Sequence, residues 1–75
     1  MDILAQIKEE EATLDGTLPQ GFLFASIKNV GEETALVNNV SLPSGEAKTY
    51  PFVGKGYQQI SYEPKGSTLR ILQII

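Results

Sequence analysis

From Phe22 onward the chain places a turn signal about every ten residues, and that spacing confines it to a few small antiparallel β architectures. The signals are Asn29 to Glu32, Asn38-Asn39, Pro43-Ser44-Gly45, Gly54-Lys55-Gly56 and Pro64-Lys65-Gly66. Asn tolerates left-handed backbone geometry, so Asn38-Asn39 between two valines suits a tight turn or a bulge. In Pro64-Lys65-Gly66, Pro supplies a φ near −65° and Gly a positive φ. The segments between the signals are predicted strands: Phe22 to Lys28, Glu33 to Val37, Val40 to Leu42, Ala47 to Val53, Tyr57 to Glu63 and Thr68 to Ile75. Every connection is short, so neighbouring strands are expected to be antiparallel.

Side chains alternate along a strand, and parity therefore assigns faces. Leu23, Ala25 and Ile27 share one face of the first predicted strand; Phe22, Phe24, Ser26 and Lys28 share the other. Ile60 and Tyr62 oppose Gln59, Ser61 and Glu63, a pattern of one-sided burial. The last strand differs. Leu69, Ile71 and Ile75 lie on one face, and Leu72 and Ile74 on the other. A strand apolar on both faces is normally covered on both, so the face carrying Leu72, Ile74, Phe22 and Phe24 calls for a cover.

Two covers suggest themselves. Asp2 to Leu14 is rich in strong helix formers and lacks Gly and Pro. Asp2 suits an N-cap, and Gly16 and Pro19 end the pattern. The expected organisation is thus a helical arm over residues 1–15, a linker over 16–21 and an antiparallel β domain over 22–75. The helix presents Ile3, Leu4, Ile7 and Leu14, a narrow stripe interrupted by Glu10 and Glu11. Leu4, Ile7, Glu11, Leu14 and Leu18 also follow a 4-3 spacing, a short and flawed heptad pattern. The second cover is another subunit. The expected interface residues are then Leu4, Ile7, Leu14, Phe22, Phe24, Leu72 and Ile74.

Size favours association. The chain has 75 residues and no cysteine or histidine. Below roughly 70–80 residues a core usually needs a disulfide, a metal or oligomerisation. Disulfides and the usual Cys/His zinc sites are excluded by composition. No apolar run approaches the ~20 residues of a membrane-crossing helix, and charged residues interrupt the first fifteen positions where a signal peptide would need an apolar stretch. No membrane partner and no signal peptide are expected.

Catalytic constellations are absent from the pattern. Without His the commonest proton shuttle is missing, and the serines have no base to activate them. Glu9-Glu10-Glu11 is a run, not a converging pair, and reads as a solvated face. Gly54-Lys55-Gly56 precedes a strand, so it reads as a hairpin turn rather than a phosphate loop. No enzyme activity, cofactor or metal is expected. Tyr50 and Tyr57, beside Lys48 and Lys55, form a candidate exposed aromatic patch of the kind that stacks bases or sugars. Against that stands the charge. The net charge is −3. Residues 1–15 hold Asp2, Glu9, Glu10, Glu11 and Asp15 against Lys8, and the remaining residues balance at +1. This is not the basic footprint of a nucleic-acid binder.

The run from Ser26 to Val30, the step Val37-Asn38-Asn39-Val40, the stretch Leu42-Pro43-Ser44-Gly45-Glu46 leading into Tyr50-Pro51-Phe52, and the close through Ile60-Ser61-Tyr62, Pro64-Lys65-Gly66-Ser67 and Leu69-Arg70-Ile71 resemble small virion proteins of tailed bacteriophages. The similar modules are head-fibre, head-decoration and adaptor-like β proteins. The resemblance covers about fifty residues. It implies a virion surface role, made in the host cytoplasm, often trimeric, with the N-terminal segment as anchor; it implies no catalytic residues. The combined expectation is a mainly β protein, a small antiparallel β-sandwich or barrel of five to six strands with an N-terminal helix or arm. Its expected role is structural, self-associating as a homo-oligomer or docking on a larger assembly. The alternative is a monomeric binding module for a peptide, a glycan or single-stranded nucleic acid.

Overall fold

Asn38 and Asn39 both adopt positive φ, 52° and 63°, and close a tight hairpin at the middle of the chain. The computed structural model describes residues 4–75, and eight strands lie among them. They are β1 (Ile7–Ala12), β2 (Gly16–Leu18), β3 (Phe24–Asn29), β4 (Ala35–Val37), β5 (Val40–Leu42), β6 (Ala47–Tyr50), β7 (Ile60–Glu63) and β8 (Leu69–Ile74). Around the Asn38-Asn39 turn the pairs β4·β5, β3·β6, β2·β7 and β1·β8 form in succession, all antiparallel. The chain is thus one long hairpin of four strand pairs. Rolling it brings β8 against β3 and β7 against β4. Two four-stranded sheets result, a first of order β1-β8-β3-β6 and a second of order β2-β7-β4-β5. This is the strand order of a jelly roll, a double-sheet route to managing strand edges.

The core fills the space between the sheets. Ala25, Ile27, Leu69 and Ile71 come from the first sheet; Leu18, Ala35, Val37, Leu42, Ile60 and Tyr62 come from the second. All six strands expected after Phe22 are present with ends shifted by up to three residues, and where parity was applied it assigns the inner face correctly, at Ala25, Ile27, Ile60, Tyr62, Leu69 and Ile71.

Asn29 continues the inner parity of β3 and is fully buried. Its Nδ2 donates to the carbonyls of Glu33 (2.7 Å) and Leu42 (2.8 Å). Its Oδ1 accepts from the Gly31 N–H (3.1 Å) and the Ser67 hydroxyl (2.6 Å). One side chain therefore ties β3, the β3–β4 connection, β5 and the β7–β8 turn together. Gly31 is held close to that turn: a Cβ there would overlap Ser67 Oγ and lie 2.6 Å from the Thr68 amide nitrogen.

The expected N-terminal helix is not formed; no helix occurs among the described residues. The expected cap, Asp2, lies outside them. Ile7–Ala12 is instead an edge strand paired along β8, and the stretch expected to be a linker contains β2. The domain therefore begins before residue 22, with eight strands rather than five or six and two open sheets rather than a closed barrel. The reason is energetic. Helix propensity differs by only a few tenths of a kcal/mol per residue among ordinary residues, and a helix this short is marginal alone. Without β1, β8 would be a long apolar edge with an unpaired ladder. Tertiary pairing overrides propensity.

Candidate functional site

The two sheets turn very different faces to solvent. Outside the second sheet lie Thr17, Ser41, Ser61 and Glu63, with Leu36 half-buried among them. Outside the first sheet, register places Ile7, Ile74 and Phe24 in one row and Glu9, Leu72, Ser26 and Thr49 in the next. Ile7, Phe24, Leu72 and Ile74 are consequently contiguous. Ile7 is 63% exposed, and the other three are half-buried. The following row holds Glu11, Arg70, Lys28 and Ala47. There Arg70 donates from Nε and Nη2 to Glu11 Oε2, at 3.2 and 2.9 Å. This exposed pair is worth at most about 1 kcal/mol. The outer face is thus apolar at one end and charged at the other.

The sequence-derived interface divides accordingly. Phe24, Leu72, Ile74 and Ile7 come together. Leu4 and Leu14 are exposed, but Leu4 precedes β1 and Leu14 sits in the bend between β1 and β2, so they share no helical stripe with Ile7. Phe22 is a correction: it is 1% exposed and belongs to the core. Strand alternation does not reach it, because β3 begins at Phe24 and the chain turns at Gly21, whose φ is 102°. Phe22 instead packs into the core, its carbonyl accepting from the Tyr57 N–H at 2.9 Å.

The expected aromatic patch is also corrected. Tyr50 and Tyr57 are half-buried, and their rings are used internally. Tyr57 stacks on Phe22 at 5.0 Å with an interplanar angle of 8°, and Tyr50 meets both rings edge-on. The Tyr57 hydroxyl donates to the Pro51 carbonyl at 2.6 Å. The Tyr50 hydroxyl is buried with no hydrogen-bond partner among the described residues. Burial, followed by the neighbouring Tyr57, raises its pKa above the ordinary tyrosine value. Burial and then Glu10 raise that of Tyr62.

A cavity of about 90 Å³ opens between Lys8, Pro19, Gln20, Phe22, Gln73 and Ile75. It is well below the 300–1,000 Å³ typical of small-molecule sites. Among the described residues no group of three or more His, Cys, Asp or Glu is gathered to hold a metal, and no helix is long and apolar enough to cross a membrane.

Both edges of the first sheet are open: among the described residues no strand pairs with the outer side of β1 or of β6. The two edges differ in charge. β1 carries Glu9, Glu10 and Glu11 against Lys8; β6 carries Lys48 alone. Parity finds Asn29 and Gln73 on the inner face once the alternation of β3 and β8 is followed to its end. The edges are invisible without the pairing order.

Fold and surface together define a jelly roll with an apolar patch at one end of one outer face and two open, oppositely charged edges on the same sheet. No family model matches the chain, and no curated protein or solved structure is matched by it.

Proposed function

We propose that this chain is a non-enzymatic structural module that self-associates, or docks on a larger protein assembly, through the outer face of its first sheet. The observation that carries the reading is the contrast between the two outer faces: polar on the second sheet, contiguous and apolar at Ile7, Phe24, Leu72 and Ile74 on the first. Contiguous exposed apolar patches mark interaction surfaces. The architecture agrees with such a use, since jelly rolls build viral capsid and lectin domains. Fold by itself does not assign function, so the weight rests on the face. A setting in a phage virion is the form of this reading that the resemblance of residues 26–75 supports, and capsid, portal or tail genes beside the coding gene would test that part. The alternative of base or sugar stacking gains nothing from Tyr50 and Tyr57, whose rings pack on Phe22.

Sedimentation equilibrium at tens of micromolar tests the proposal. The expected result is an oligomer for the unmodified chain and a smaller assembly for Leu72→Glu combined with Ile74→Glu. Both positions lie outside the core, so the variant keeps its β circular dichroism. A monomeric unmodified chain with a cooperative melt overturns the reading.

A further inference from the structure

We propose that copies of this chain join head to tail, β6 of one copy against β1 of the next, in the one register that sets Lys48 opposite Glu10. The inference rests on the self-association reading above and adds an edge-to-edge contact to the one through the outer face.

The hydrogen-bond ladder supplies the first argument. Gln6 and Ile75 exchange both backbone bonds, at 3.4 and 2.9 Å. In an antiparallel ladder such pairs alternate with non-bonded ones. Lys8, Glu10 and Ala12 therefore turn their N–H and C=O groups toward β8, and Ile7, Glu9 and Glu11 turn theirs to the open edge. On the other side the Asn29 N–H donates to the Glu46 carbonyl at 2.9 Å. Lys48 and Tyr50 thus bond toward β3, and Ala47 and Thr49 point their backbone groups outward.

Register supplies the second. β6 has four residues and β1 has six, so β6 fits wholly alongside β1 in three antiparallel registers. Two of them oppose outward-pointing groups to inward-pointing ones and put core-side residues opposite solvent-side ones, the consequence of any one-residue slip. The remaining register pairs Thr49 with Glu9 and Ala47 with Glu11 through hydrogen bonds. It sets Lys48 against Glu10 and Tyr50 against Lys8 in the closer, non-bonded positions. Lys8 already shares a row with Gln73, Ala25 and Tyr50, and Glu10 shares one with Ile71, Ile27 and Lys48. The rows of one copy therefore continue into the next without stagger.

Charge supplies the third. The register opposes the cation of β6 to the central carboxylate of β1. It also brings the Lys8 ammonium to Tyr50, whose ring already has Lys48 Nζ 5.8 Å from its centroid. Glu46, just before β6, falls opposite Ala12, so no carboxylate directly opposes another. Exposed Ile7 arrives level with Pro51 and exposed Phe52. Pairing β1 with a second β1 instead sets glutamate against glutamate or Lys8 against Lys8 in each hydrogen-bonding register, which disfavours a two-fold edge dimer. Antiparallel β6·β1 addition leaves successive copies pointing the same way, the heterologous geometry that closes into rings or extends as filaments.

Charge reversal with sedimentation equilibrium tests the interface. Lys48→Glu and Glu10→Lys are each expected to weaken association by about tenfold per interface. The double variant is expected to recover it, which a folding defect would not. A second probe uses the absence of native cysteine. Lys48→Cys combined with Glu10→Cys is expected to give a ladder of disulfide-linked species on oxidation. Within one copy these positions are three strand spacings apart, about 14 Å, too far to bridge. If the unmodified chain is oligomeric but the single reversals leave its mass unchanged and the cysteine variant stays unlinked, the edge interface is wrong while association through the face survives. A monomeric unmodified chain removes both.

Discussion

Asn29 makes four hydrogen bonds from a position with no solvent exposure. Asn29→Ala removes all four bonds and leaves the buried Ser67 hydroxyl without its partner. Leaving buried polar groups unpaired is costly, and the expected loss is about 2–4 kcal/mol in urea unfolding. Asn29→Asp is expected to be destabilising too, because a carboxylate has no N–H for Glu33 and Leu42. Tyr50 presents the opposite case. Its hydroxyl is buried and unpartnered, so Tyr50→Phe is expected to raise stability by about 1 kcal/mol. It also carries a pH dependence. The folded-state pKa of Tyr50 lies above the ordinary value of about 10. The unfolded chain therefore loses its proton first as pH rises, and stability falls above about pH 10. Thermal melts across that range are expected to show the fall, shallower in Tyr50→Phe; Tyr62, also raised, accounts for a remaining slope. Identical slopes in both proteins would refute the assignment to Tyr50.

At the scale of elements, β1 decides whether the N-terminal segment is an appendage or part of the fold. It contributes a ladder of six residue pairs to β8 and covers an otherwise open edge. Its three consecutive glutamates place charge along that edge, a common guard against indiscriminate strand addition. Each ladder hydrogen bond is worth about 0.5–1.5 kcal/mol net, and a domain of this size has only about 4–11 kcal/mol in total. Deleting residues 1–12 is therefore expected to abolish the cooperative melt and the β circular dichroism or to cause aggregation through β8. A truncated chain that melts like the parent would show that β1 is dispensable.

At the scale of the molecule, 75 residues bury only about 60% of their unfolded surface, and this chain spends part of its apolar content outside the core. Phe24, Leu72 and Ile74 add nothing to the space between the sheets, yet they sit on the two central strands of the first sheet. Association through the outer face would cover them, and β6·β1 addition would join the two charged edges of the first sheet. Both consequences stabilise the folded state by mass action. The oligomer expected from sedimentation thus has a thermal counterpart: a melting midpoint that rises with protein concentration. In the Leu72→Glu, Ile74→Glu variant the midpoint is expected to depend less steeply on concentration.

The turn chemistry at Asn38-Asn39, the alternation through Ala25 and Ile27, and the two-sided last strand were legible in the sequence. Each is a local property: positive φ tolerated by Asn, or the two-residue period of a strand. Those local rules determined six strands, the inner faces of three of them and the free apolar face at Phe24, Leu72 and Ile74. Tertiary structure alone decided the rest. Ile7 to Ala12 is built from helix formers and became a strand because β8 offered it a ladder. Phe22 left the outer face because its residue lies outside the strand whose parity was applied to it. Lys48 and Glu10 are 38 positions apart in the chain and share one row of the sheet only because β8 and β3 lie between them. Strand partners and register depend on which distant segments meet, and the free energy of that pairing outweighs the small local preferences that the residues carry alone.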